Sequence, residues 1–78
     1  MTKRLTLFHT DRCHLCDDAM ALLEIANAPY QKVDILAQPD LMRRYATRIP
    51  VVKQEGKSSL NWPFTLQQLY NYIQEEKS

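Results

Sequence analysis

At 78 residues the chain has the length of one small domain, too short for a pair of mononucleotide-binding halves or an eightfold β/α barrel. Hydrophobic residues at 45% and charged residues at 24% mark a globular chain rather than a disordered one. A net charge of +1 gives no electrostatic footprint for nucleic acid or an anionic membrane, no apolar run approaches the roughly 20 residues that cross a bilayer, and Met1 to Arg12 lacks the apolar core of a secretory signal, so a cytoplasmic location is expected.

Arg4 to His9 (RLTLFH) reads as a short, largely buried strand. Thr10 to Arg12 is a polar break. From His14 the period becomes helical: Leu15, Ala19, Leu22, Leu23 and Ala26 share one face, and Asp17, Asp18 and Glu24 lie off it. Asn27-Ala28-Pro29 ends that helix, because proline cannot continue it and drives the preceding residue out of the helical region. Tyr30 to Ile35 is a second strand with Val33 and Ile35 on one face. Strand, helix and strand in about 30 residues make a βαβ unit, so these two strands should be parallel. Pro39 suits the first turn of a short helix through Ala46, with Leu41 and Tyr45 facing inward and Arg43 and Arg44 outward. Pro50 to Gln54 is a third strand, Glu55-Gly56 a turn, and Lys57 to Asn61 a weak antiparallel edge strand. After the break at Trp62-Pro63-Phe64, Thr65 and Gln68 form a capping box, and Leu66, Leu69, Tyr70 and Ile73 give a last helix its apolar face. The order β-α-β-α-β-β-α packs naturally as one four-stranded mixed sheet with three helices on its faces, a single α/β domain over 1–78.

The two cysteines, Cys13 and Cys16, carry the chemistry. A bridge enclosing so short a loop contributes little to stability, and a disulfide-stapled secreted domain would use more of them. Cys13 falls where the first strand hands over to the first helix. Unpaired N–H groups and the helix dipole there favour an anion, so its thiolate is stabilised. Cys16 lies one turn inside and faces the core. The asymmetry assigns Cys13 as the attacking thiolate and Cys16 as the resolving thiol of a disulfide exchange. Neighbouring charges oppose one another: Arg12 and a protonated His14 favour the thiolate, whereas Asp11, Asp17 and Asp18 disfavour it. Two other readings stay open at this point. His9 and His14 with the cysteines place two His and two Cys within eight residues, a composition a metal knuckle could use. The pair could also be chemically inert.

Cys13-His14-Leu15-Cys16 after the first strand and Arg48-Ile49-Pro50-Val51 before the third resemble a glutaredoxin-like member of the thioredoxin superfamily, and the tail Asn61-Trp62-Pro63-Phe64 ahead of a helix resembles a small bacterial branch of it. The resemblance implies a thioredoxin-like, glutaredoxin-type fold. It implies that Ile49-Pro50 is cis and lies against the cysteine pair, with the Ile49 backbone pairing an extended peptide or glutathione. Arg12, His14 and Arg48 are the further substrate-binding candidates: the arginines either hold glutathione carboxylates or are solvated surface charge, and His14 either tunes the thiolate or is simply exposed. The chain departs from the better-known members in two ways. No proline separates the cysteines, and Trp62-Pro63-Phe64-Thr65 stands where a glycine pair cradles glutathione.

The resulting expectation is a monomeric thiol–disulfide oxidoreductase with no bound cofactor and no metal. Its substrate is a protein disulfide or a glutathione mixed disulfide, with glutathione or a thioredoxin reductase as the electron source. Nucleic acid and membrane are not expected partners. The alternatives are a metal or iron–sulfur carrier using Cys13, and a thioredoxin-fold interaction module whose cysteines do no chemistry. Trp62 and Phe64 either anchor their loop on the core or form an apolar rim beside Cys13.

Overall fold

A computed structural model describes residues 4–74, so the expected domain of 1–78 extends past the described residues at both ends. The first strand, β1 (Leu5–His9), alternates between two cores. Leu5 and Leu7 enter one, and Phe8 packs against the other. Helix α1 (His14–Ile25) follows. It ends on Asn27 at φ 56°, with Asn27 N–H donating to the Glu24 carbonyl at 3.0 Å and Ala28 N–H to that of Leu23 at 3.1 Å. These are the two bonds of a Schellman cap, in which asparagine takes the left-handed position glycine usually holds.

The buried face of α1 is Cys16, Ala19 and Leu23. The expected face began at Leu15, but Leu15 is 48% exposed. Cys16 occupies the inward position of the first turn, and this turns the face away from Leu15. Strand β2 (Tyr30–Asp34) runs parallel to β1, with Leu5 opposite Tyr30 and His9 opposite Asp34. It stops one residue short of expectation. The Asp34 carboxylate accepts the Leu36 N–H at 2.9 Å, and this bond starts a 3-10 turn over Ile35–Ala37. Ile35 is still buried, in the second core.

Helix α2 (Pro39–Tyr45) keeps the expected proline start, with Tyr45 buried and Leu41 half-buried beside it. The Tyr45 ring stacks on Phe8 with centroids 4.4 Å apart. Strand β3 (Val51–Gln54) is antiparallel to β1 and splits its two valines, Val52 to the first core and Val51 to the second. Gly56, at φ 86°, makes the turn that follows. Strand β4 is shorter than expected, Leu60–Asn61 rather than Lys57 to Asn61. The turn is drawn toward the last helix instead: the Tyr72 hydroxyl donates to the Ser58 carbonyl at 2.8 Å and accepts the Gln54 N–H at 2.8 Å, and Lys57 Nζ donates to the Tyr72 carbonyl.

Helix α3 (Leu66–Gln74) begins as its sequence indicates. Thr65 N–H donates to Gln68 Oε1 at 2.8 Å, and Gln68 N–H to Thr65 Oγ1 at 3.1 Å. Its core face is Leu69 with Tyr72 and Ile73. Tyr72 was not among the expected inward residues; it is half-buried, as Leu66 and Tyr70 are, but it packs on the first core and they do not.

The sheet order is β2-β1-β3-β4. The first core lies between the sheet and α1 with α3, the second between the sheet and α2. This is the α/β mixed sheet with three helices expected from the element order. No helix among the described residues is long and apolar enough to cross a membrane.

Candidate active site

The chain leaves β1 through Thr10 to Arg12 and enters α1 at Cys13. Arg12 sits at φ 62°, in the left-handed region. A non-glycine residue there costs roughly 1 kcal/mol. Nothing in the sequence signalled it. The reversal brings Cys13 to the N-cap of α1 with extended backbone (φ −110°, ψ 103°).

The cap is the cysteine sulfur itself. Cys13 Sγ accepts the Cys16 N–H at 3.2 Å, and the Cys13 carbonyl accepts the Asp17 N–H at 3.1 Å as the first helical bond. An oxygen from Ser, Thr, Asp or Asn usually fills this role. The two sulfurs face each other close to disulfide distance across a Cα–Cα separation of 5.2 Å, within the range of bridged cysteines. Cys13 is half-buried, while Cys16 is 1% exposed. Cys13 is therefore the more accessible of the two, and Cys16 belongs to the core.

His14 and Arg12 are exposed on either side of Cys13. His9 and His14 do not converge with the cysteines: among the described residues no three His, Cys, Asp or Glu side chains come together as a metal-ligand group.

Ile49-Pro50 is cis. The β1–β3 register places it. Phe8 is opposite Val51, so continuing the ladder sets Pro50 beside His9, at the end of the sheet where β1 leads into the cysteines. Pro50 is buried and Ile49 half-buried against the second core. The Ile49 N–H donates to the Tyr45 carbonyl at 3.0 Å, as does that of Arg48 at 2.8 Å. The Ile49 N–H is therefore already engaged within the chain. The Arg48 side chain is exposed.

The same end of the sheet receives Trp62, whose N–H donates to the Pro50 carbonyl at 3.2 Å. Its ring meets Phe64 edge-on, with centroids 5.0 Å apart at 76°. Phe64 is a core residue, 5% exposed, so it anchors the loop; Trp62 packs beside it and stays half-buried. Trp62-Pro63 is a second cis peptide. Sequence reasoning placed this break but not its isomer, because a proline break fits either one.

A model of the Glutaredoxin-like domain (DUF836) matches residues 4–74. The chain belongs to this glutaredoxin-like family. Solved structures agree. The X-ray structure of Northeast Structural Genomics target protein XcR50 from X. campestris is 34% identical, with a TM-score of 0.83 over 88% of this chain and 93% of that one. The solution structure of the same protein gives a TM-score of 0.81 over 94% and 92%. Protein Ne2328 from Nitrosomonas europaea shares the fold at 20% identity, with a TM-score of 0.80 over 94% of this chain and 93% of that one. No curated protein matches the chain. The fold is thioredoxin-like, and the glutaredoxin-like domain with its close cysteine pair points to a redox role.

Proposed function

We propose that this glutaredoxin-like protein is a thiol–disulfide oxidoreductase in which Cys13 attacks and Cys16 resolves. The observation that supports it best is the inequality of the two cysteines: Cys13 is half-buried at the cap of α1 and Cys16 is fully buried one turn inside. The N–H of Cys16 and the helix end favour the thiolate at Cys13.

In the reduced protein, the Cys13 thiolate attacks one sulfur of a substrate disulfide. A Cys13–substrate disulfide forms, the substrate S–S bond breaks, and the other substrate sulfur leaves as a thiolate that takes up a proton. Cys16 then gives up its proton and attacks Cys13. The Cys13–Cys16 bond forms, and the second substrate thiol departs. Two electrons pass from the protein dithiol to the substrate, and an external thiol reductant returns them. Arg12, His14, Arg48 and the Ile49 carbonyl surround this path as substrate contacts, with Pro50 shaping the floor. The protein acts as a cytoplasmic monomer on protein disulfides or glutathione mixed disulfides.

The test is trapping. Cys16→Ser should accumulate a stable mixed disulfide at Cys13, read by intact mass, whereas Cys13→Ser should accumulate none and lose turnover by at least about a thousandfold. Equal trapping by both variants, or no reversible bridge in a glutathione redox buffer, would sink the proposal. Parallel turnover with glutathione and with thioredoxin reductase identifies the reductant.

A further inference from the structure

The net charge of +1 conceals a division between the two faces of the sheet. Helix α1 carries Asp17, Asp18 and Glu24, all exposed, and no lysine or arginine. On the opposite face, α2 and the segment leading into β3 carry Arg43, Arg44 and Arg48, all exposed, against one carboxylate, Asp40. These four side chains line one shallow concavity of about 490 Å³. Asp40 pairs with Arg43. Among the described residues, Arg44 and Arg48 have no carboxylate partner.

The helix end accounts for only part of this arrangement: Arg43 and Arg44 lie in the last turn of α2, where cations are favoured, but Arg48 lies beyond it. Tyr45 and Leu41 hold α2 to the sheet, and three guanidiniums around one concavity repel each other. Their placement suggests a use. Arg48 lies two residues before Pro50, at the end of the sheet that holds the cysteines. A chain that runs along Ile49 meets Arg48 as its sequence neighbour, and Arg44 and Arg43 line the same concavity as Arg48.

We propose that this arginine face docks an acidic stretch of the polypeptide that carries the substrate disulfide; the proposal rests on the exchange reading above. Opposite charge on α1 fixes the direction, because an acidic flank attracted to α2 is repelled by Asp17, Asp18 and Glu24. The chemistry suits separate carboxylates better than one compact anion. The guanidiniums are spread around an open surface, and the Arg48 N–H is already given to Tyr45, so no nest of backbone donors converges there.

The test uses two cyclic peptides of equal length, each closed by one disulfide, one flanked by glutamates and the other by lysines. Binding to the oxidised protein is read by fluorescence anisotropy. No thiol is then available, so the result is independent of whether the cysteines exchange. The acidic peptide should bind about tenfold more tightly at low ionic strength, and the preference should collapse near roughly 0.5 M salt. Arg43→Gln with Arg44→Gln should reduce the preference to about twofold or less. Arg4→Gln with Lys32→Gln removes the same charge from exposed sites elsewhere and should leave it in place.

Equal binding of the two peptides overturns the proposal, and so does an equal loss in both double variants, which would mean that only net charge matters. Displacement of the acidic peptide by inorganic pyrophosphate at equal concentration also overturns it, in favour of a phosphate ligand. Salt-sensitive self-association lost in the Arg43 and Arg44 variant overturns it in favour of a second copy. A preference that persists in a protein whose cysteines fail to exchange supports the surface and removes only the exchange reading.

Discussion

Thr10 stands three residues before Cys13, and its hydroxyl oxygen is buried with no hydrogen-bond partner among the described residues. Burying a hydroxyl in that way costs about 1–3 kcal/mol. Valine has the same shape without the polar group. Thr10→Val is therefore expected to raise the unfolding free energy by up to about 1 kcal/mol, measured by urea denaturation. A loss of the same size would show that the hydroxyl has a partner, such as a bound water. Thr10 and Cys13 both lie in the passage from β1 to α1, but the cysteine sulfur satisfies a backbone donor there and the threonine oxygen satisfies none.

Each element has its own stop and start. The reciprocal bonds between Thr65 and Gln68 hold the first turn of α3. Thr65→Ala should lower stability by about 1 kcal/mol in thermal unfolding, and Thr65→Ser should restore most of it. That cap was legible in the sequence because all its atoms belong to four consecutive residues. The end of α1 at Asn27 and the start of α2 at Pro39 were legible for the same reason. The cysteine pair was also readable, since its spacing fixes which sulfur opens the helix and which lies one turn in. Part of what the sequence did not disclose depends on distant partners. Strand β4 is short because Tyr72, 14 residues beyond Ser58, takes the Ser58 carbonyl. Leu15 is exposed because Cys16 takes the inward position. The left-handed backbone of Arg12 and the second cis proline carried no local signal.

At the scale of the whole molecule, two small cores share one sheet, and β1 and β3 contribute to both. Tyr72 joins three parts of this assembly. Its hydroxyl bridges Gln54 of β3 and Ser58 of the turn, while Lys57 Nζ lies 4.8 Å from the centre of its ring. Burial raises the Tyr72 pKa above its ordinary value, and the Gln54 N–H pulls it partly back. A tyrosine with a raised folded-state pKa contributes stability that is fully present below the unfolded value of about 10 and is lost as pH rises through the folded value. The unfolding free energy should therefore begin to fall, on this account, only above about pH 10. In Tyr72→Phe the baseline should drop by about 1–2 kcal/mol and the alkaline fall should become shallower. Tyr30, whose pKa is raised by burial and by the nearby Glu24 carboxylate, contributes to the same fall. Urea titrations across that pH range check both parts. An unchanged alkaline slope would remove Tyr72 from the account.

The sulfur that closes the first turn of α1 is also the one that reacts in the proposed exchange, so the helix lacks a constant N-terminus through the cycle. As a thiolate, Cys13 is a strong acceptor and the turn is closed firmly. Tied to a substrate, the same sulfur is neutral and holds the Cys16 N–H less well. The turn that carries Cys16 is thus released to move at the stage when Cys16 must attack. In the proposed exchange, progress would be recorded in how firmly a single helical turn is closed.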